Sequence, residues 1–275
     1  MKITVLPLTD STSDVLADVR AVTGDLDDVD LTVVASTLTD VTVHGLRFSP
    51  DLDACFLPPS MPVSGGAVSE LRDYHVDAEW FTMTERTLAA AILRTRLLGL
   101  GYPLSQVTKA MSSRFDLDYT LLPLSDQAVE TFVVVRTGTQ EEAWPARRYL
   151  ENPVPDVVRI ARTGFDEAKA APGVLAAVRQ ADVLVVHADH YAAFDTVPAF
   201  DLPGMTEAVA GSKSTVLTLG AKFLPDTLRE KIGGREVEDL EAALAELAGS
   251  ADSTDASGAD GGSGIWAPPA SGPRA

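Results

Sequence analysis

The sequence predicts an α/β fold: a Rossmann-like parallel sheet with helices on both faces and an inserted helical and hairpin lobe. Three observations carry that expectation. Short runs rich in Val, Leu and Thr recur along the chain. Segments with helical spacing of apolar residues separate them. One run, Val183–His187, is apolar without alternation, as in a strand buried on both faces.

The elements follow in order. Lys2–Leu8 reads as a short buried strand, and Leu31–Ala35 as its parallel neighbour. Between them, Val15, Leu16, Val19 and Val22 recur at helical spacing over Ser13–Val22. Thr84–Leu98 reads as a helix that Gly99 and Gly101 end, and Pro103 opens a second one. Tyr119–Leu124 reads as a strand. Thr131–Arg136 reads as a further strand, closed by Gly138 into a hairpin with its return arm near Trp144–Leu150. Val174–Ala181 is a helix, Thr215–Leu219 a strand, and Val237–Leu247 an amphipathic helix. The expected organisation is one α/β domain over residues 1–248, with a lobe inserted at about 51–150. Residues 249–275 are Ser, Gly, Asp, Pro and Ala with the pair Ile265-Trp266, and read as a disordered acidic tail.

Composition excludes several functions. The chain has 275 residues, 40 acidic and 22 basic, for a net charge of −18. Such a surface repels phosphate backbones, which argues against general nucleic-acid binding. Most of the basic residues are arginine, and that balance points to a salt-rich, halophilic cytoplasm, where counter-ions screen self-repulsion. Cys55 is the only cysteine, so there is no intrachain disulfide and no cysteine metal site. No apolar stretch reaches the ~18 residues of a membrane span, so the expectation is a soluble cytoplasmic protein with no membrane partner.

Candidate site residues follow the strands. After the first strand, Thr9, Ser11, Thr12 and Ser13 offer hydroxyls to a phosphate, but the loop has no glycine and Asp10 repels anions; a capped turn explains the same residues. After the second strand, Asp40, Asp51 and Asp53 supply three carboxylates able to hold a hard cation such as Mg²⁺. Asp51 equally suits a helix entrance after Ser49-Pro50. Ser125 and Asp126 fit a ligand contact or a turn. His187, Asp189 and His190 at a strand end fit a metal or a polar loop. Arg147-Arg148 fits a phosphate contact or an ordinary salt-bridged pair.

The stretch His44-Gly-Leu-Arg-Phe-Ser-Pro-Asp-Leu-Asp53 resembles the signature of the 2-phospho-L-lactate transferases of deazaflavin coenzyme (F-420) biosynthesis. The resemblance continues collinearly through Ala90–Thr95, Gly101–Thr108, Leu121–Asp126 and Val129–Thr131, then Asp166–Lys169, Ala171–Val174 and Ala181-Asp182. It implies a Rossmann-like fold with an extra lobe, usually dimeric. The implied reaction moves a phospholactyl-type or phosphoenolpyruvyl group from a guanosine-diphosphate-activated donor to the ribityl chain of a deazaflavin alcohol. GMP leaves, and Mg²⁺ is the cofactor. By the same resemblance Asp40, Asp51 and Asp53 are catalytic, with Asp40 and Asp53 on the metal. Thr9, Ser11, Thr12 and Ser36 fall on the donor, and Ser125 and Asp126 on the acceptor or base.

The departures are selective. The family's Gly-rich loop is Pro7–Thr12 here, and its Asn, Gly and adjacent Asp pair are Ser36, Leu38, Thr39 and Asp40. Its Gly-Asp-Arg-Asp motif is Thr84-Glu85-Arg86-Thr87, and its Ser-Asn-Pro is replaced within Ala188–Tyr191. The losses fall where phosphate and metal are expected. Two expectations result: a weak transferase, or a non-catalytic binding or regulatory subunit, as a homodimer or in a heteromer with a true transferase.

Overall fold

A computed structural model describes residues 1–8, 12–24, 29–57, 66–74 and 80–255. Thr9, Asp10, Ser11, His75, Ile265 and Trp266 lie outside the described residues.

The first half of the chain runs β1 (Lys2–Pro7), α1 (Thr12–Thr23), β2 (Asp30–Ala35), β3 (Val41–Val43), β4 (Leu46–Phe48), α2 (Pro50–Ala54), α3 (Ala67–Asp73), α4 (Glu85–Gly99), α5 (Leu104–Ser112) and β5 (Thr120–Pro123). Then come β6 (Glu130–Thr137), β7 (Gln140–Pro145), α6 (Ala146–Glu151), β8 (Val157–Thr163), α7 (Val174–Gln180) and β9 (Val183–His187). The chain continues through α8 (Thr196–Asp201), α9 (Met205–Ala210), β10 (Thr215–Leu219), α10 (Asp226–Ile232), β11 (Arg235–Val237) and α11 (Leu240–Asp255).

Six strands form one parallel sheet in the order β11-β10-β9-β1-β2-β5. Its middle strands read as continuous apolar runs because both faces are covered. One face packs Leu6, Val34, Leu184 and Val186 against α7, α8 and α9. The other packs Ile3, Val5, Val33 and Val185 against α1, α5 and α11. Strand order reverses between β1 and β9, which are neighbours in space but far apart in sequence. Open α/β sheets place ligands outside the carboxyl ends of the strands at such a point.

β5 falls inside the stretch read as a lobe, yet it pairs with β2 in the main sheet. Two excursions therefore leave the sheet, one between β2 and β5 and one between β5 and β9. The first carries the β3–β4 hairpin, which has no strand-length apolar run to announce it. Its turn is His44-Gly45, with φ of 53° and 74°. Positive φ at both central positions gives the twist that two-residue hairpins need. The second carries the antiparallel sheet β7-β6-β8.

One expectation is corrected there, and one strand was not anticipated. The hairpin's return arm is Gln140–Pro145, and the stretch from Ala146 is helical, because Pro145 ends the strand and sets the helix entrance. β8, with the sequence VVRIART, is partly exposed throughout and lacks the apolar alternation that marks a strand. At the other end, α11 runs on to Asp255, past the expected stop at Leu247. Residues 256–275 lie outside the described residues. Among the described residues no helix is long and apolar enough to cross a membrane.

Candidate functional site

The carboxyl ends of β1, β2 and β9 and the first excursion share a polar centre. Asp40, after β2, accepts from Ser49 Oγ at 2.7 Å and Arg47 Nε at 2.8 Å. Asp51, on α2, accepts from Thr39 Oγ1 at 2.6 Å and pairs with Arg147 of α6. Asp53, one α2 step on, pairs through both oxygens with Arg94 of α4, whose side chain is 0% exposed. Arg94 Nη1 also donates to the Arg47 carbonyl at 3.3 Å. Three carboxylates thus meet three guanidinium groups.

The local sequence explains the convergence. Pro50 sets the first turn of α2 and directs Asp51 and Asp53 inward, both buried. Arg94 lies on the buried stripe of α4 with Leu88 and Ala91. A capping box between Thr84 and Thr87 fixes that helix's start. Arg148, next to Arg147, sits 4.1 Å over the Trp144 ring and steadies α6.

Burial dominates the electrostatics. It raises the Asp40 pKa, with Arg47 partly offsetting it. It raises Asp53 to about 6 despite Arg94. Asp195, at the entrance to α8, is held well above the ordinary range by burial and then by the charge of Asp51. Its neighbour Thr196 donates to the Leu8 carbonyl at 3.0 Å, tying α8 to the end of β1.

Beside this centre lies a pocket of about 290 Å³. Phe48, Leu57 and Phe81 line it together with the charged residues Asp53, Arg86, Arg147 and Glu151. Phe48 and Phe81 meet edge to face, with centroids 4.9 Å apart. Aromatic side chains with a few polar groups are the usual makeup of a small-molecule site, and the size is at the small end for one.

A family comparison identifies the scaffold. Residues 9–221 match the family described as 2-phospho-L-lactate transferase CofD. The chain belongs to that family. It is 35% identical over 212 residues to a phosphoenolpyruvate transferase of Streptomyces griseus, covering 70% of this chain and 64% of that protein. It is 32% identical over 246 residues to one of Streptomyces coelicolor, covering 80% and 74%. This chain thus spans under two thirds of the first relative's length. Among solved structures, protein BH3568 of Bacillus halodurans shares the fold, with a TM-score of 0.53 at 16% identity over 79% of this chain and 68% of that one.

The expected site residues divide into two groups. Asp40, Asp51 and Asp53 come together as expected, but each is turned onto an arginine. The remaining described residues, Thr12, Ser36, Ser125 and Asp126, are engaged in the scaffold. Thr12 donates to the Pro7 carbonyl at 3.0 Å, and Ser36, fully buried, accepts from the Leu38 amide at 3.3 Å. Ser125 donates to Gln127 at 3.0 Å. Asp126 accepts from the Ser105 amide at 2.6 Å and hydroxyl at 3.0 Å, capping α5. Thr9 and Ser11 lie outside the described residues.

The metal expected on Asp40 and Asp53 does not fit these residues. Mg²⁺ demands near-octahedral oxygen ligation. Asp53 and Asp51 each have both oxygens engaged, and one Asp40 oxygen holds Arg47 and Ser49. Among the described residues no group of three or more His, Cys, Asp or Glu is arranged to hold a metal. His190, exposed, meets the Tyr191 ring at a tilt with centroids 3.7 Å apart, and Asp189 accepts from the Tyr191 amide. Cys55 is buried, its thiol pKa raised by burial, which leaves it inert.

The residues that sequence reasoning missed are Arg47, Arg94, Phe81 and Asp195. Arg94 had a legible signal: a charge on the apolar stripe of a helix needs a buried partner. Asp195 had none, since only the tertiary fold buries it.

Proposed function

We propose that this chain is a weak or non-catalytic member of its family that holds a deazaflavin-type planar alcohol, alone or as a subunit beside an active transferase. The observation that carries this is an asymmetry. The pocket beside Asp53 has both aromatic and charged residues in its lining, which suits a planar ring with a polyol arm. The described donor-side hydroxyls, Thr12 and Ser36, are hydrogen-bonded inward. A transferase stabilises developing phosphate charge with preorganised donors or a metal, and each donor removed costs about 10²–10³ in rate. A subunit role has a surface to use: Ile92, Leu93, Leu100 and Tyr102, on and just after α4, are 44–64% exposed.

A transfer assay tests this. A phosphoenolpyruvyl or phospholactyl guanosine-diphosphate donor and a deazaflavin alcohol are mixed with excess protein, and GMP release is followed. The expected result is release at least about 10³-fold below the ordinary enzyme range of ~10 s⁻¹. Turnover within that range contradicts the proposal and restores the active-transferase reading.

A further inference from the structure

The chain has a net charge of −18, yet from Arg86 to Phe115 it carries Arg86, Arg94, Arg96, Lys109 and Arg114 and no acidic residue. Arg94 is spent on Asp53. The other four are exposed, and among the described residues none of them forms an ion pair with a carboxylate. α4 and the end of α5 thus present positive charge on a strongly acidic chain.

The same helix carries an outward stripe. Arg86, Ala89, Leu93, Arg96 and Leu100, the last just past the end of α4, follow one another at steps of three and four residues, and all are exposed. That spacing lines side chains up along one side of a helix, as in the seam where two helices meet. Leu93 and Leu100 are 44% and 64% exposed. The buried side of α4 holds Leu88, Ala91 and Arg94, so the helix is packed on the body without using this stripe.

Beside the stripe lies a cavity of about 540 Å³. Ala89 and Leu93 line it with Ala110, Met111, Phe56 and Phe115. Arg86 and Arg114 belong to the same lining, and its acidic residue, Glu85, accepts from the Val68 amide at 3.0 Å. A recess of this kind takes an apolar anchor from a protein partner. A helix that lies on a bilayer inserts its own apolar face and needs no recess. A second copy meeting through the same face would set like charges against each other, since a two-fold interface pairs a patch with itself.

We infer that the outward stripe of α4 and the cavity it shares with α5 dock an acidic amphipathic helix of a different protein. Apolar residues of that helix lie on Ala89, Leu93 and Leu100, and its carboxylates meet Arg86, Arg96 and Arg114. The inference rests on the subunit reading above and names the partner's chemistry. Its test needs neither deazaflavin nor a transfer assay, so the two can fail separately.

The test uses the full chain and a fluorescent helical peptide with Leu at the spacing of the stripe and Glu at the flanking positions, followed by anisotropy. A matched peptide with Lys in place of Glu is the comparison. Wild type is expected to bind the Glu peptide in the micromolar range and the Lys peptide at least tenfold more weakly. That pair of titrations needs no variant to fold. Leu93→Glu and Arg96→Glu, both at exposed positions, are each expected to weaken the Glu peptide at least tenfold. No binding of the Glu peptide overturns the inference, as does equal binding of the two peptides or unchanged binding by both variants with their fold intact. Binding to phosphatidylglycerol vesicles that the Glu peptide does not displace overturns it in favour of a membrane. Self-association of wild type in sedimentation that Leu93→Glu abolishes overturns it in favour of a second copy.

Discussion

Leu184 in β9 and Arg94 in α4 are both fully shielded from water, and the reasons differ. Leu184 is buried because transferring apolar surface out of water is favourable, about 1.5–3 kcal/mol for such a side chain. Its neighbours Val183, Val185 and Val186 repeat the same argument along the strand. Arg94 is buried only because Asp53 and the Arg47 carbonyl accept its protons. The sheet is therefore a sum of small, independent gains. The polar centre is a set of mutual conditions, in which each group is stable only while its partner stays. The first kind of region sets the frame; the second fixes one arrangement of α2, α4 and α6 around the pocket.

The largest expected effect breaks that mutual condition. Arg94→Met leaves Asp53 buried without its cation and should cost about 3–5 kcal/mol in denaturant unfolding. Arg94→Met with Asp53→Leu should recover most of the loss, because an apolar pair of similar volume replaces the ions. If the double variant is as unstable as the single one, the pair is not what holds α4 to α2. Leu184→Ala in the sheet should cost about 2–5 kcal/mol, and no second substitution at a polar partner should rescue it.

The polar centre also makes stability depend on pH. Asp53 titrates near 6 in the folded chain against 3.8 for the ordinary group, because burial outweighs Arg94. The folded state then keeps a proton that the unfolded state has released. Stability from this group is present below about pH 4, falls as pH rises toward 6, and levels off above. The full loss is roughly 3 kcal/mol. Asp40 and Asp195 are raised in the same direction, so Asp53→Asn should flatten the slope without abolishing it. An unchanged slope in Asp53→Asn means that this carboxyl does not titrate there. The smallest effect belongs to the exposed pair Arg20–Asp118, with side chains 52% and 53% exposed. Arg20→Ala should cost about 0.2–1 kcal/mol, and less in molar salt.

The same contrast explains what the sequence revealed. β1, β2, β9 and β10 were legible because a strand buried on both faces must be apolar throughout, as Val183–Val186 are. α4 was legible from spacing and the glycines that end it, and α5 from spacing and Pro103 at its start. β8 was not, since it lacks apolar alternation and pairs with β6 some way back in the chain, and the β3–β4 hairpin was not, since its strands are three residues each with no apolar run to announce them. At the site, Asp40, Asp51 and Asp53 were found as a group. Their role was not, because the sequence does not say which arginine reaches which carboxylate: Arg147 lies 96 residues from Asp51, and Arg94 lies 41 from Asp53. Hydroxyls such as Ser36 and Ser125 read as ligand contacts, yet they serve the backbone and a neighbouring side chain. A short polar side chain after a strand serves either purpose, and only its partners decide.

On the proposed function, the pocket lined by Phe48 and Phe81 holds a planar deazaflavin-type alcohol. Deazaflavin fluorescence makes the direct measurement simple. The alcohol is titrated with wild type and with Phe81→Ala, without any donor or metal. Wild type should bind in the micromolar range, and loss of the Phe81 ring should weaken binding at least tenfold, the effect of removing about 1.4 kcal/mol or more of contact. No binding by wild type, or equal binding by Phe81→Ala with its fold intact, would contradict the account.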